Sequence, residues 1–118
     1  MADLTGLSIV VVSWNVRELL RACLASLPRE AEVIVVDNAS SDGSAAMIAA
    51  EFPTVRLVAN QDNRGFTGGN NQGLALAQGR TILLLNPDTI VQDNALEILV
   101  NFLDSHPENG VVGPQLRY

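Results

Sequence analysis

Four short apolar runs, "LSIVVVS", "EVIVVD", "VRLVAN" and "TILLLN", each end in polar residues, and that pattern constrains the chain more than any other feature. None of the four alternates strictly between apolar and polar residues. Such runs belong to strands covered on both faces, as in a parallel sheet layered with helices. The segments between them carry helical spacing. Val16, Leu19, Leu20, Cys23, Leu24 and Leu27 recur at three- and four-residue steps until Pro28 closes the stripe. "AAMIAAEF" favours helix up to Pro53, and Leu96, Leu99, Val100 and Leu103 mark a further helix from about Asn94 to Ser105. The intervening "QDNRGFTGGNNQGLALAQG" is expected to be loop at Gly65, Gly68 and Gly69. Its second half can be helical, with Leu74, Leu76 and Ala77 as buried candidates. A brief last strand is expected in "GVVGPQL".

Strands separated by helices pair in parallel through right-handed crossovers. The predicted fold is therefore α/β: a mostly parallel open sheet with helices on both faces, Rossmann-like in its layering, with a ligand crevice at the carboxyl ends of the strands. A chain of 118 residues with 47% hydrophobic residues makes one such domain without disulfides. The net charge is −6 and the basic residues are all arginine, which excludes nucleic-acid binding through a basic face. Cys23 is alone, which excludes an internal disulfide and a cysteine-based zinc site, and its place on an apolar stripe reads as a small buried hydrophobe. No apolar run reaches the roughly 18 residues that span a bilayer, so a soluble cytoplasmic chain is expected.

The polar residues collect where the strands end. Ser13-Trp14-Asn15 follows the first run, Asp37-Asn38 the second, Asn60 to Gly65 the third and Asn86-Pro87-Asp88 the fourth. In a parallel sheet those positions lie along one edge. Asp42 is expected to cap the helix that follows it. Asp37, ending a buried strand, is placed to accept hydrogen bonds from a base or ribose, although it could equally begin a turn. Trp14 could lie against a planar base or fill space between strand and helix. Arg64 in its glycine-rich loop can pair with a diphosphate, but the loop matches neither dinucleotide nor P-loop spacing. "NPDT" is good turn chemistry, and a carboxylate there could also serve a divalent cation, which takes only one or two protein carboxylates when it escorts a diphosphate.

With those motifs in order, the chain resembles the N-terminal half of a family 2 glycosyltransferase of the GT-A fold. The likeness runs from "LSIVVVSWN" through "EVIVVDNASSDGS" and "NRGFTGGNNQGLALAQG" to "TILLLNPDTIV" and "GVVGPQL". The "LNPDT" and "GFTGGNN" forms look most like members that transfer rhamnose or similar sugars from dTDP or UDP donors. The resemblance implies that Val12, Trp14, Asn15 and Asp37 meet the base and ribose, with Asn63, Arg64 and Gly65 near the base or diphosphate. It puts Asn86-Pro87-Asp88 in place of the family's Asp-x-Asp motif, with Asp88 as the ligand to Mg2+ or Mn2+. Asn86 stands where that motif has its first acid. The resemblance further implies an inverting transfer to a glycan or lipid-linked acceptor. It places the general base and acceptor pocket beyond Tyr118, so residues 1–118 would be a donor-binding part inactive alone, acting at the inner face of a membrane in a longer protein. An uncovered sheet edge or face could also self-associate.

Two other readings fit the same strand pattern. A sugar-nucleotide nucleotidyltransferase would carry an arginine- and lysine-bearing glycine loop after the first strand, where this chain has "SWNVREL". A non-enzymatic α/β regulatory or assembly module would keep the sheet without the chemistry. His106, in "SHPENG", is expected to be a solvated helix-end residue rather than a base.

Overall fold

The computed structural model describes residues 3–113. Four parallel strands, β1 (Leu7–Ser13), β2 (Glu32–Asp37), β3 (Arg56–Ala59) and β4 (Thr81–Leu85), form one sheet in the order β3-β2-β1-β4. Helices α1 (Arg17–Ala25), α2 (Ser44–Glu51) and α3 (Gly65–Leu76) make the crossovers, and α4 (Ala95–Ser105) follows β4. The chain moves from β1 outward to β3, then jumps back across β2 and β1 to β4. Right-handed crossovers in opposite directions put α1 and α2 on one face of the sheet and α3 on the other. The reversal occurs at β1, where an open α/β sheet has its crevice.

All seven residues of β1 are buried, as its central position requires. Leu7, Ile9 and Val11 share one core with Leu20 and Leu24 of α1, Met47 and Ile48 of α2, and Leu96 and Val100 of α4. Val10 and Val12 face the other way, beneath α3. The expected helical stripe on α1 is right for Leu20, Cys23 and Leu24, but Leu19 is exposed.

Two sequence expectations are overturned. Gly68 and Gly69 lie inside α3, and of the three glycines expected in a loop only Gly65 takes a left-handed backbone, at φ 74°. The reason is steric. A Cβ on Gly69 would sit 2.7 Å from Cγ1 of Val12, and one on Gly73 would sit 2.3 Å from Cγ1 of Val10. Those glycines let the helix lie directly on β1. Consequently α3 buries Gly69, Asn70 and Gly73, while Leu74 is exposed and Leu76 half-buried. Residues Gly110–Gly113 are not in a strand, and the rest of that expected strand lies outside the described residues.

Because α3 covers β1 and β2, the same face of β4 is left open. Ile82 and Leu84 pair with Ser8 and Val10 in register and remain exposed beside Leu74. No helix among the described residues is long and apolar enough to cross a membrane.

Candidate active site at the carboxyl edge of the sheet

The loops after the four strands meet along one edge, as the strand-end pattern requires. Most of their polar side chains are spent on holding the loops to one another. Asn15, with φ 52°, spans from the first loop to the second: its N–H donates to Ser40 Oγ at 2.9 Å, and its Oδ1 accepts from the Ser41 N–H at 2.7 Å. Asp42 makes a second brace. Its carboxylate accepts from the N–H of Arg17 (2.9 Å), the first residue of α1, and from the N–H and hydroxyl of Ser44 (3.1 and 2.6 Å), the first residue of α2. One side chain thus satisfies free amides at two helix starts, the expected cap of α2 and an additional one on α1. These bonds, the Ser44 hydroxyl foremost, hold the Asp42 carboxyl below the ordinary aspartate range.

Asp37 is buried and turned into its own loop, where Oδ1 accepts from the Ser40 hydroxyl at 2.6 Å and Oδ2 from the Ser40 N–H at 3.1 Å. Between them Ala39 adopts φ 63°, a left-handed conformation that costs a residue with a Cβ. Asn63 also closes a local turn, its Oδ1 accepting from the Gly65 N–H at 2.8 Å. Val12 is buried against Gly69. Of the residues singled out from the sequence, Val12, Asn15, Asp37 and Asn63 therefore shape the edge through contacts with the protein itself.

Three others stand free of that bracing. Trp14, at the end of β1, is 55% exposed. Arg64, just before α3, is exposed and only loosely paired with the still more exposed Asp62 at 3.4 Å. Asp88 is exposed and enters none of the ion pairs formed by the described residues. Its loop is a tight turn, the Thr89 N–H donating to the Asn86 carbonyl at 3.2 Å, with Pro87 and Asp88 at the two central positions. The side of α1 supports this turn: the Cys23 thiol lies 3.9 Å from the same carbonyl, and the Val91 N–H donates to Ser26 Oγ at 3.0 Å. Burial, with the Asp88 charge adding to it, pushes the Cys23 thiol up to about 11. It stays protonated and structural.

The sheet order separates these free groups. Strands lie about 4.8 Å apart, so the end of β2, where the Arg64 N–H meets Asn38, and the end of β4, near Asp88, are separated by two spacings, ~10 Å, with Trp14 between them. Asp88 supplies one oxygen ligand set, and the described residues hold no cluster of three or more His, Cys, Asp or Glu. A divalent ion that kept several substrate and water oxygens would fit such a position; a site built wholly from protein ligands would not.

His106 is not on this edge. Its ring stacks on Phe102 with centroids 4.1 Å apart, beyond Asp104, which reaches Arg80 at the entry to β4. What sequence reasoning missed is the amide group formed by the buried Asn38 with the half-buried Asn60 and Gln72, which joins the ends of β2 and β3 to α3. No single stretch of sequence contains it.

Comparison with known proteins follows the same lines. The family model described as glycosyl transferase family 2 matches residues 8–118. The succinoglycan biosynthesis protein ExoO of Rhizobium meliloti is 37% identical over 101 residues, covering 81% of this chain and 29% of that protein. The poly-beta-1,6-N-acetyl-D-glucosamine synthase of Staphylococcus epidermidis is 27% identical over 121 residues, covering 95% of this chain and 29% of that protein. Among solved structures, the mannosyltransferase PcManGT from Pyrobaculum calidifontis, in complex with GDP-Man and Mn2+, is similar with a TM-score of 0.74 at 26% identity over 83% of this chain and 32% of that one. TarS 1-349 of S. aureus in complex with UDP shares the fold with a TM-score of 0.75 at 24% identity, over 92% of this chain and 38% of that one. The chain spans well under half the length of the curated relatives it matches, 29%, 12% and 40% of three of them.

Proposed function

The chain belongs to glycosyl transferase family 2, and from that premise we propose that it is the donor-binding part of an inverting glycosyltransferase. The donor is a nucleoside diphosphate sugar, read as dTDP- or UDP-linked, with rhamnose or a related sugar. The acceptor is a glycan or a lipid-linked chain. One observation carries this reading. On an edge where Asn15, Asp37, Asp42 and Asn63 are consumed by loop bracing, Trp14, Arg64 and Asp88 remain available to a ligand.

Each free group has a chemistry suited to one part of the donor. Trp14 offers its ring face to the base, and stacking of that kind contributes about 1–3 kcal/mol per base. Arg64 brings positive charge to the nucleotide where the α3 loop folds over the end of β2. Asp88, with the Asn86 carboxamide beside it, would hold Mg2+ or Mn2+ together with donor oxygens, and a bound divalent ion supplies charge stabilisation to a departing diphosphate. The complex of the similar mannosyltransferase with GDP-Man and Mn2+ supports such an ion. The described residues bind and orient the donor. Deprotonation of the acceptor is assigned to residues outside them, since His106 lies at the opposite edge.

The test uses the only tryptophan as its probe. UDP and dTDP should quench Trp14 fluorescence saturably, Mn2+ should tighten both isotherms, and GDP should bind more weakly. Asp88→Ala should keep the fold and the quenching but lose the gain from Mn2+. Absence of binding by every nucleotide, with and without metal, would favour the non-enzymatic module.

A further inference from the structure

We infer that Phe66 is a second aromatic contact to the nucleotide base, closing the base site from α3 while Trp14 closes it from β1. The inference rests on the sugar-nucleotide reading of the edge. Phe66 is 59% exposed, and the usual reasons for a phenylalanine on a helix do not apply to it. Phe52 packs against the core, and Phe102 is stacked by His106. Phe66 has no such cover. It is the second residue of α3, and its neighbours three and four residues on are Gly69, which has no side chain, and Asn70, which is itself buried. A hydrophobic staple is absent too, since its two positions would fall on Asn63 and Gly68.

The glycines of α3 locate the ring. A Cβ on Gly73 would lie 2.3 Å from Cγ1 of Val10, and one on Gly69 would lie 2.7 Å from Cγ1 of Val12, so α3 runs antiparallel to β1. Four helical residues advance ~6 Å and two strand residues ~6.6 Å, so the two elements keep step. The next step pairs Gly65 with Trp14, one residue past the end of β1. There the contact opens, because a Cβ on Gly65 would meet nothing within 4 Å. Phe66 lies on the stripe that α3 turns to the sheet, three residues before Gly69 and seven before Gly73. With no strand left beneath that stripe, Phe66 overhangs the carboxyl edge at the level of Trp14. The alternation along β1 gives Val10, Val12 and Trp14 the same side. Two exposed aromatic side chains thus border one opening, Trp14 on its sheet side and Phe66 on its helix side. They do not fill it by stacking on each other: among the described residues the stacked ring pair is Phe102 with His106.

An opening with an aromatic group on each side suits a flat ligand that is apolar on both faces. A sugar can lie against one ring, but only a planar base makes use of both. Stacking from two sides takes both faces of the base out of water and needs no hydrogen-bond readout, so Phe66 serves uracil and thymine alike. Arg64, two residues earlier and outside the stripe, is left to the phosphates.

The experiment measures UDP and dTDP affinity of the full chain by calorimetry in Mg2+, for the parent, Phe66→Ala and Phe66→Tyr, with circular dichroism of each. Phe66→Ala should weaken both nucleotides by about fivefold or more, the loss of one stacking face, and Phe66→Tyr should stay within about twofold of the parent. Phe66→Ala binding as tightly as the parent overturns the inference. So does Phe66→Tyr falling with it, since a ring is then not what the site requires. Fluorine NMR of the unaltered sequence grown with para-fluorophenylalanine decides the matter even if a variant fails to fold. The chain has three phenylalanines, and only the Phe66 resonance should move, saturably, as UDP is added; Phe52 and Phe102 lie away from the edge. A Phe66 resonance that stays still while calorimetry records binding overturns the inference, and so does an equal movement with inorganic pyrophosphate, which has no base. A parent chain that binds neither nucleotide defeats the donor reading and this inference together, whereas a parent that binds with Phe66 indifferent defeats the inference alone.

Discussion

Replacing Gly73 by Ala tests the packing that lays α3 on the sheet. The new Cβ would lie 2.3 Å from Cγ1, 3.2 Å from Cγ2 and 3.3 Å from Cβ of Val10. Non-bonded carbons rest at about 3.5–4.0 Å, so the first contact is short by ~1.2 Å. Val10 cannot retreat, because it is fully buried in a strand paired on both sides. The helix must move or the valine must leave its rotamer, and overpacking of that kind costs about 1–3 kcal/mol. Alanine returns roughly 1 kcal/mol of helix propensity over glycine, which leaves a net loss of up to about 2 kcal/mol, and the 2.3 Å contact puts this site at the upper end. At this chain length that lowers Tm by about 4 °C for each kcal/mol. The assay is urea denaturation followed by far-UV circular dichroism, run on Gly73→Ala, Val10→Ala and the double variant. Val10→Ala alone should cost about 2 kcal/mol. In its background the alanine at 73 should be neutral or stabilising, since only the 3.3 Å contact to Cβ survives. A single Gly73→Ala variant as stable as the parent, or one with the same penalty in the Val10→Ala background, would refute the close-approach argument.

The remaining predictions concern the loops at the candidate site. Asp42→Ala removes the carboxylate shared by α1 and α2 and should cost about 2 kcal/mol, one typical cap at each helix. Because the folded carboxyl lies below the ordinary value of 3.8, its contribution is complete above that value and is lost as pH falls through the lower folded one. The stability gap between parent and variant, measured by denaturant titration from pH 6 downwards, should therefore narrow below about pH 4; a gap that widened there would contradict the cap. Ala39→Gly should be neutral or stabilising by up to ~1 kcal/mol, since glycine accepts φ 63° without strain but gains freedom in the unfolded chain. Ala39→Val should be clearly destabilising, and thermal melts that ranked the two variants the other way would show that the turn is not strained. The Cys23 thiol, pushed up to about 11 by burial, should resist a thiol reagent at pH 8 in the folded chain and react fully once urea is added; rapid reaction without denaturant would remove it from beneath the Asn86 turn.

The strands were legible because unbroken β-branched runs have few alternatives, and their polar ends located the edge on which the site lies. The glycine-rich segment was not, and the reason is particular. Glycine was read through its backbone freedom, which applies at Gly65, while Gly69 and Gly73 serve instead by lacking a side chain where a helix crosses Val10 and Val12. The spacing Gly65-x3-Gly69-x3-Gly73 did hold the signal, since four-residue steps line one helical face. It competed with the usual assumption that the leucine face of a helix is the buried one, which Leu74 contradicts. The candidate site divides in the same way. Residue type marked Asn15, Asp37 and Asn63 as possible ligand contacts, but polar residues that brace loops have the same composition as those that hold ligands. Only contacts between residues 15 and 41, or 38 and 64, tell them apart.

Those contacts also predict how the cost of binding is distributed along the edge. The loops after β1 and β2 are tied together through Asn15 and Asp42, and the loop after β3 is tied to them through Asn38, so the part of the site assigned to base and ribose is ordered before any ligand arrives. The Asn86–Thr89 turn has no bond to those three loops; its supports are Cys23 and, through Val91, Ser26, both on the α1 side. Binding of the nucleotide should therefore draw on a rigid surface, and its affinity in the absence of metal should be insensitive to changes in the turn. The metal-dependent part should instead depend on how well that turn holds Asp88. Replacing Pro87 by Gly, which loosens the turn and removes no hydrogen bond to another loop, should reduce the gain from Mn2+ and leave metal-free binding unchanged. Equal losses with and without metal would mean that the four loops act as one unit, and that the hydrogen bonds dividing them into two parts do not govern binding.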